Sequence, residues 1–334
     1  YFQDDFAAAR AYDEQALAIA RAAGDMAAEA HALDALGSDA SEQGDYGAAA
    51  GYYERAAALF RAVGDQWGLC ANLGNLAFLQ REQGNYGRAL ASCAEGLALA
   101  RAIGDRRIEG WFLGCRGWVL LDLGAYGEAD GAFAEGLAVC EAAANHSNAE
   151  WVRSGVALLR CLQGAYAEGE ARARAVREAA LDGRRSRVGD AAICLGHALA
   201  GQGRLAEAGA AYAEALAVWE ELGRPARAVE ARAGLADAAL RAGDLAGALA
   251  PAGPILAQLA AGPPTGADEP LRVYWAAWRA LAASADPRAG PLRAEALALL
   301  EARAALIADP ALRHSYLDEV AAHRELRAHG PGPL

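Results

Sequence analysis

Gln43-Gly44-Asp45-Tyr46 opens a run of small helical residues that closes on Ala62-Val63-Gly64-Asp65. Forty residues on, Gln83-Gly84-Asn85-Tyr86 opens another run, which closes on Ile103-Gly104-Asp105. The same punctuation returns as Gly124-Ala125-Tyr126, Gly164-Ala165-Tyr166, Gly203-Arg204-Leu205 and Gly243-Asp244-Leu245, and it is already present as Gln3-Asp4-Asp5-Phe6. The aromatic or leucine after each turn stands at Phe6, Tyr46, Tyr86, Tyr126, Tyr166, Leu205 and Leu245, a step of 40 residues with one slip to 39. A fixed period in this range is the mark of stacked supersecondary units.

Within one unit, residues 26–65, the first half carries Ala30, Leu33, Leu36, Gly37 and Ala40 three and four apart, which is one apolar helix face. Gly44 suits the left-handed residue that ends a helix, and Asp45 suits the N-cap of the next. The second half repeats the spacing with Ala49, Tyr53, Ala56 and Phe60 before Gly64-Asp65 stops it. No window alternates apolar and polar residues, so strands are not indicated. Each unit reads as a helix–turn–helix hairpin whose short loop makes the two helices antiparallel.

Composition narrows the function classes. The 334 residues carry a formal charge of −12 with 31 arginines and no lysine, which argues against a nucleic-acid backbone as partner. No apolar stretch is long enough to span a bilayer, and no signal segment opens the chain. Six cysteines (Cys70, Cys93, Cys115, Cys140, Cys161 and Cys194) form no CxxC pair and sit inside helical runs, so they read as reduced, buried small hydrophobes of a cytoplasmic protein. The array opens on the second half of a unit, so the chain is expected to continue a longer polypeptide upstream of Tyr1.

These residues resemble the tetratricopeptide repeat family. The first-helix pair reads Leu36-Gly37, Leu76-Ala77, Leu195-Gly196 and Leu235-Ala236, with Arg116-Gly117 and Val156-Ala157 as weaker copies. The small position early in the second helix is Ala9, Ala49, Ala89, Ala129, Gly169, Ala208 and Ala248. The aromatic four residues later is Tyr53, Phe133 and Tyr212, replaced elsewhere by Asp13, Cys93, Ala173 and Ala252. The period of 40, the missing closing proline and the Gly-Asp terminator set this chain apart as a longer-helix variant, similar to the sensor arms of signal-transduction ATPases with numerous domains. The resemblance implies an all-α fold: an α-solenoid of antiparallel hairpins in a right-handed superhelix with C-terminal capping helices.

The repeat array is expected over residues 1–262. Residues 263–334 then hold a degenerate last repeat, a capping helix and a disordered Gly-Pro tail. Pro251 and Pro254 are expected to bend or shorten the helix that contains them. Gly262-Pro263-Pro264-Thr265-Gly266 is a loop, Pro270 opens a helix, and another runs from about Pro291 to Ile307. Asp309-Pro310 starts a last helix to about Ala328.

No catalytic signature is present: no HExxH, GxSxG or phosphate loop. The scattered histidines lack metal-ligand spacing, and neither a metal nor a cofactor is called for. Candidate contacts are therefore the non-core positions of the first helices, which line the concave face in the family this chain resembles. They include Asn75, Phe78, Arg81, Trp111, Cys115, Trp118, Asp122, Ser154, Leu158, His197 and Asp237. Trp111 and Trp118, seven apart, either bury themselves between hairpins or line the groove. Acidic neighbours such as Asp34, Asp190 and Glu230 either favour a basic partner or simply solvate the lining.

The expected role is a non-catalytic arm that binds a protein or peptide partner in its groove, with no nucleic acid and no membrane. It would belong to a larger bacterial signalling regulator with an upstream NTPase or output domain. The alternatives are a small-molecule sensor around Trp118 and a module that self-associates through its terminal helices.

Overall fold

The computed structural model describes residues 3–180 and 184–328, with backbone alone for 3–8 and Glu42; within them seventeen helices follow one another and no strand occurs. After α1 (Gln3–Ala23) come six hairpins. They are α2 (Met26–Glu42) with α3 (Tyr46–Val63), α4 (Gln66–Glu82) with α5 (Tyr86–Ile103), and α6 (Arg106–Asp122) with α7 (Tyr126–Ala142). Then follow α8 (His146–Leu162) with α9 (Tyr166–Ala180), α10 (Arg185–Gly201) with α11 (Leu205–Glu221), and α12 (Pro225–Arg241) with α13 (Leu245–Ala261). The turn chemistry is the one the sequence dictates. Gly44 takes φ +79°, and Asp45 then accepts the Ala48 N–H at 3.0 Å as N-cap.

Each first helix packs on its own partner and on the second helix before it, and consecutive first helices touch from α2 through α12. The chain is thus an α-solenoid whose first helices form one continuous inner wall. Its step is set by aromatic rings wedged between glycines. A Cβ on Gly117 would come within 2.5 Å of the Phe133 ring, and one on Gly155, in the next first helix, within 2.6 Å. Tyr212 is held the same way between Gly196 and Gly234, at 2.5 and 2.4 Å. The small positions Ala49, Ala89, Ala129, Ala208 and Ala248 are wholly buried where backbones meet. Ala9, in α1, is exposed, since no first helix covers that face among the described residues.

Beyond the hairpins, α14 (Pro270–Ala283) packs on α12 and α13 and pairs with α15 (Ala289–Ala305). Two expectations need correction. α13 is neither shortened nor interrupted by Pro251 and Pro254: it runs for 17 residues through both. Pro254 is exposed and Pro251 half-buried, so carbonyls that lose a helical donor can turn to water. The single last helix is in fact two, α16 (Pro310–Asp318) and α17 (Ala321–Ala328). The break is filled by side chains from α17: His323 Nδ1 lies 2.7 Å from the Tyr316 carbonyl, and Arg324 donates to the Asp318 carbonyl at 3.0 Å. The Gly-Pro tail at 330–333 lies outside the described residues.

These last helices fold back to the middle of the array. The Tyr316 ring lies 5.5 Å from that of Tyr86, and Arg303 donates to the Tyr86 hydroxyl at 3.4 Å. All six cysteines are buried and unpaired. Burial pushes the thiols of Cys70 and Cys161 up to about 11 and about 12, which leaves them protonated and inert. No described helix is long and apolar enough to cross a membrane.

Candidate functional site

The inner wall encloses a trough of about 1020 Å³ whose lining draws on every hairpin from α2–α3 to α12–α13. Its apolar side is Phe78 on α4, Trp118 on α6, Trp151 on α8 and Trp219 near the end of α11. Phe78 is 41% exposed, while Trp118 is buried and stacks on Trp151 at 6.1 Å. The charged side is Arg81, Glu82, Arg187, Asp190, Arg224, Arg227 and Asp268.

Arg81 is a hub although its side chain is only 6% exposed. Its Nε and one terminal nitrogen reach both oxygens of Asp122 at 2.7 and 3.1 Å, a bidentate pair. The same terminal nitrogen donates to Asp268 at 3.1 Å, the other donates to Glu82 at 3.2 Å, and the guanidinium lies 5.0 Å above the Trp118 ring. Arg227 mirrors it four hairpins along the wall: it pairs with Asp190, with Glu230 at 3.2 Å and with the second oxygen of Asp268, and it covers Trp219 at 5.1 Å. Burial pushes the Asp122 carboxyl up to about 6 and that of Glu82 up to about 7, against the pull of Arg81. Burial would raise Asp268 as well, but Arg227 and Arg81 together hold it well below the usual carboxylate range.

Asp268 belongs to the segment joining α13 to α14, and this segment enters the trough. Residues 261–266 line its wall, and the backbone N–H groups of Asp268 and Glu269 both donate to the Glu230 carboxylate, at 3.4 and 3.1 Å. A second polar seam lies deeper along the same segment. His197 sits 3.0 Å from Glu269 through Nε2 and 3.0 Å from the Tyr212 hydroxyl through Nδ1. Burial and the neighbouring Arg272 lower the pKa of its imidazole.

Of the residues singled out from the sequence, Phe78, Arg81 and Trp118 line the trough together, and Asp122 stands behind Arg81. Trp111 covers Gly74, where a Cβ would come within 1.7 Å of its ring, and packs against the core around Phe112. Cys115, Ser154 and Leu158 are buried. His197 faces Glu269 in the second seam, Asp237 takes Arg279 at 2.7 Å, and Asn75 is half-buried on α4. The carboxylates weighed as attractors of a basic partner are matched within the chain: Asp34 by Asn72 at 2.7 Å, Asp190 and Glu230 by Arg227, and Asp237 by Arg279. Trp219, Arg227 and Asp268 were not among the candidates. Their register along the wall is unremarkable in sequence, and only the curvature of the array brings Asp268 between α4 and α12.

No metal-holding group of three or more His, Cys, Asp or Glu side chains occurs among the described residues. The family model for the tetratricopeptide repeat matches residues 188–222, the span of the α10–α11 hairpin. The fold is an α-solenoid of the tetratricopeptide-like kind. Its fold resembles a Rap protein complexed with Competence and Sporulation Factor (14% identity, 84% of this chain and 77% of that one, TM-score 0.68). It also resembles a plasmid Rap conjugation gene regulator in complex with the Phr* peptide (11% identity, 92% and 77%, TM-score 0.60). A third likeness is to a signal-transduction ATPase with numerous domains and a tetratricopeptide repeat sensor from Pyrococcus horikoshii (18% identity, 71% of this chain and 37% of that one, TM-score 0.51). No curated protein matches the sequence. The solenoid therefore presents an aromatic, arginine-bearing trough with part of its own chain laid along one side.

Proposed function

We propose that this tetratricopeptide array is a non-catalytic recognition arm that binds an extended peptide segment of a partner protein in the trough. The observation that carries the reading is the lining itself: an exposed Phe78 and three tryptophans beside arginines, drawn from hairpin after hairpin. Aromatic residues and arginine are the side chains that dominate binding at interfaces. The volume stands at the upper end for a small-molecule pocket, and a lining spread along the whole wall suits a chain better than a compact ligand. Two solenoids of similar fold are complexed with a Phr* peptide and with Competence and Sporulation Factor, which supports a peptide-binding use of the array here.

The likeness to the sensor-bearing ATPase supports an arm within a larger signalling regulator. Six buried, unpaired thiols suit a reducing compartment such as the cytoplasm. A displayed random-peptide library supplies ligands for the test. Phe78→Ala, on a side chain that is largely free, should weaken selected peptides about 30-fold or more, the scale of a binding hot spot, with helicity unchanged. Peptides that bind the variant as tightly as the parent would place the site elsewhere.

A further inference from the structure

The segment between α13 and α14, Gly262-Pro263-Pro264-Thr265-Gly266-Ala267-Asp268-Glu269, has the attributes of a bound peptide rather than of a passive linker. It is free of helix, and Gly266, at φ +93°, passes so close to Tyr46 that a Cβ there would meet its hydroxyl at 2.7 Å. Its one carboxylate in the trough, Asp268, is shared between Arg81 on α4 and Arg227 on α12, helices that do not otherwise touch. Its backbone is gripped without regard to side chain, through two successive N–H groups on Glu230. Only Pro264 and Ala267 are buried, so charge and backbone contacts rather than apolar burial hold it down.

We propose that residues 262–269 are a resident occupant of the trough, standing in for the acidic, extended peptide that the array binds. This rests on the peptide-binding reading above. The charge of the lining supports it. With the segment lifted away Arg81 keeps Asp122 and Glu82, and Arg227 keeps Asp190 and Glu230, but both lose the carboxylate they share, and Arg187 and Arg224 also face the trough. The place that Asp268 would vacate, between two guanidinium groups, is complementary to a ligand carrying Asp or Glu. The tethered segment competes at high effective concentration, which lowers the apparent affinity for any ligand supplied from outside.

The test uses two synthetic peptides, residues 261–270 of this chain and the same peptide with Asn in place of the aspartate, titrated by tryptophan fluorescence and calorimetry. The Asp268→Asn protein weakens the tethered copy. A second protein, with a flexible Gly-Ser stretch inserted between Ala261 and Gly262, loosens it while keeping Asp268. The acidic peptide should bind both variants at least about 10-fold tighter than it binds the parent, and the Asn peptide should gain nothing. Amide exchange over 262–269 should quicken in both.

If the two peptides bind alike, or neither binds the variants better than the parent, the segment is not a ligand mimic and the inference fails. Adding Phe78→Ala to Asp268→Asn separates the two readings. Acidic-peptide binding that survives it keeps the resident-occupant inference and removes the aromatic trough from the recognition site.

Discussion

Replacing Arg81 by methionine keeps the length of its stem and removes the charge that three carboxylates share. The guanidinium makes a bidentate pair with Asp122 and single bonds to Asp268 and Glu82, all in a site that is nearly closed to water. Removing one partner of a buried ionic cluster leaves uncompensated charge, and the usual cost is about 3–5 kcal/mol. That cost depends on pH, because Asp122 and Glu82 escape it by taking a proton. Their folded-state pKa values, about 6 and about 7, already lie above those of the unfolded chain. The native state therefore holds protons that the unfolded state has released, and these groups make stability fall as pH rises from about 4 to about 7.

Without Arg81 both carboxyls move higher still, so the fall steepens and extends further upward in pH. At pH 8 urea denaturation followed by far-UV circular dichroism should show the full loss of about 3–5 kcal/mol. At pH 5, with both carboxyls protonated, the deficit should shrink to about 1–2 kcal/mol, the worth of the lost hydrogen bonds. An equal loss at the two pH values would refute the reasoning, since it would mean that Asp122 and Glu82 do not feel Arg81.

Gly117→Ala and Gly131→Ala form a matched pair within one hairpin. Both gain about 0.5–1 kcal/mol of helix propensity. Only the first drives a Cβ to 2.5 Å from the Phe133 ring, which Gly155 confines on its other side, while the second meets nothing within 4 Å. Gly131→Ala should raise the urea midpoint, and Gly117→Ala should fall about 1–3 kcal/mol below it, the cost of overpacking. Asp309→Ala removes the carboxylate that accepts the Ala311 and Leu312 amides at 2.7 and 3.2 Å. It should destabilise the C-terminal helices by about 1 kcal/mol, read as faster amide exchange across α16 with α2–α11 unchanged.

The hairpins were readable in the sequence because their determinants are local. Gly44 and Asp45 make a turn wherever they stand, and the buried alanines recur at the step of the repeat. Parts of the trough were readable for the same reason: Phe78, Arg81 and Trp118 follow from register along the first helices. The difference between Trp111 and Trp118 was not, because both lie on one helix face and only the glycine at position 74 of the neighbouring helix draws the first onto the wall. The place of Asp268 was also hidden. It depends on rotation accumulated over successive hairpins, which no short window of sequence encodes. The break between α16 and α17 turns on His323 and Arg324 reaching back to carbonyls, a choice that helical periodicity does not register.

Nearly all of this architecture can assemble from contacts between chain neighbours, which favours rapid, stepwise folding. The Asp268–Arg81 pair cannot, because it joins positions 187 residues apart. The two arginines stand at the right separation only after every intervening hairpin has taken its proper angle. Closure of the seam therefore depends on all of them at once: a chain with one hairpin out of line has nowhere to put that carboxylate.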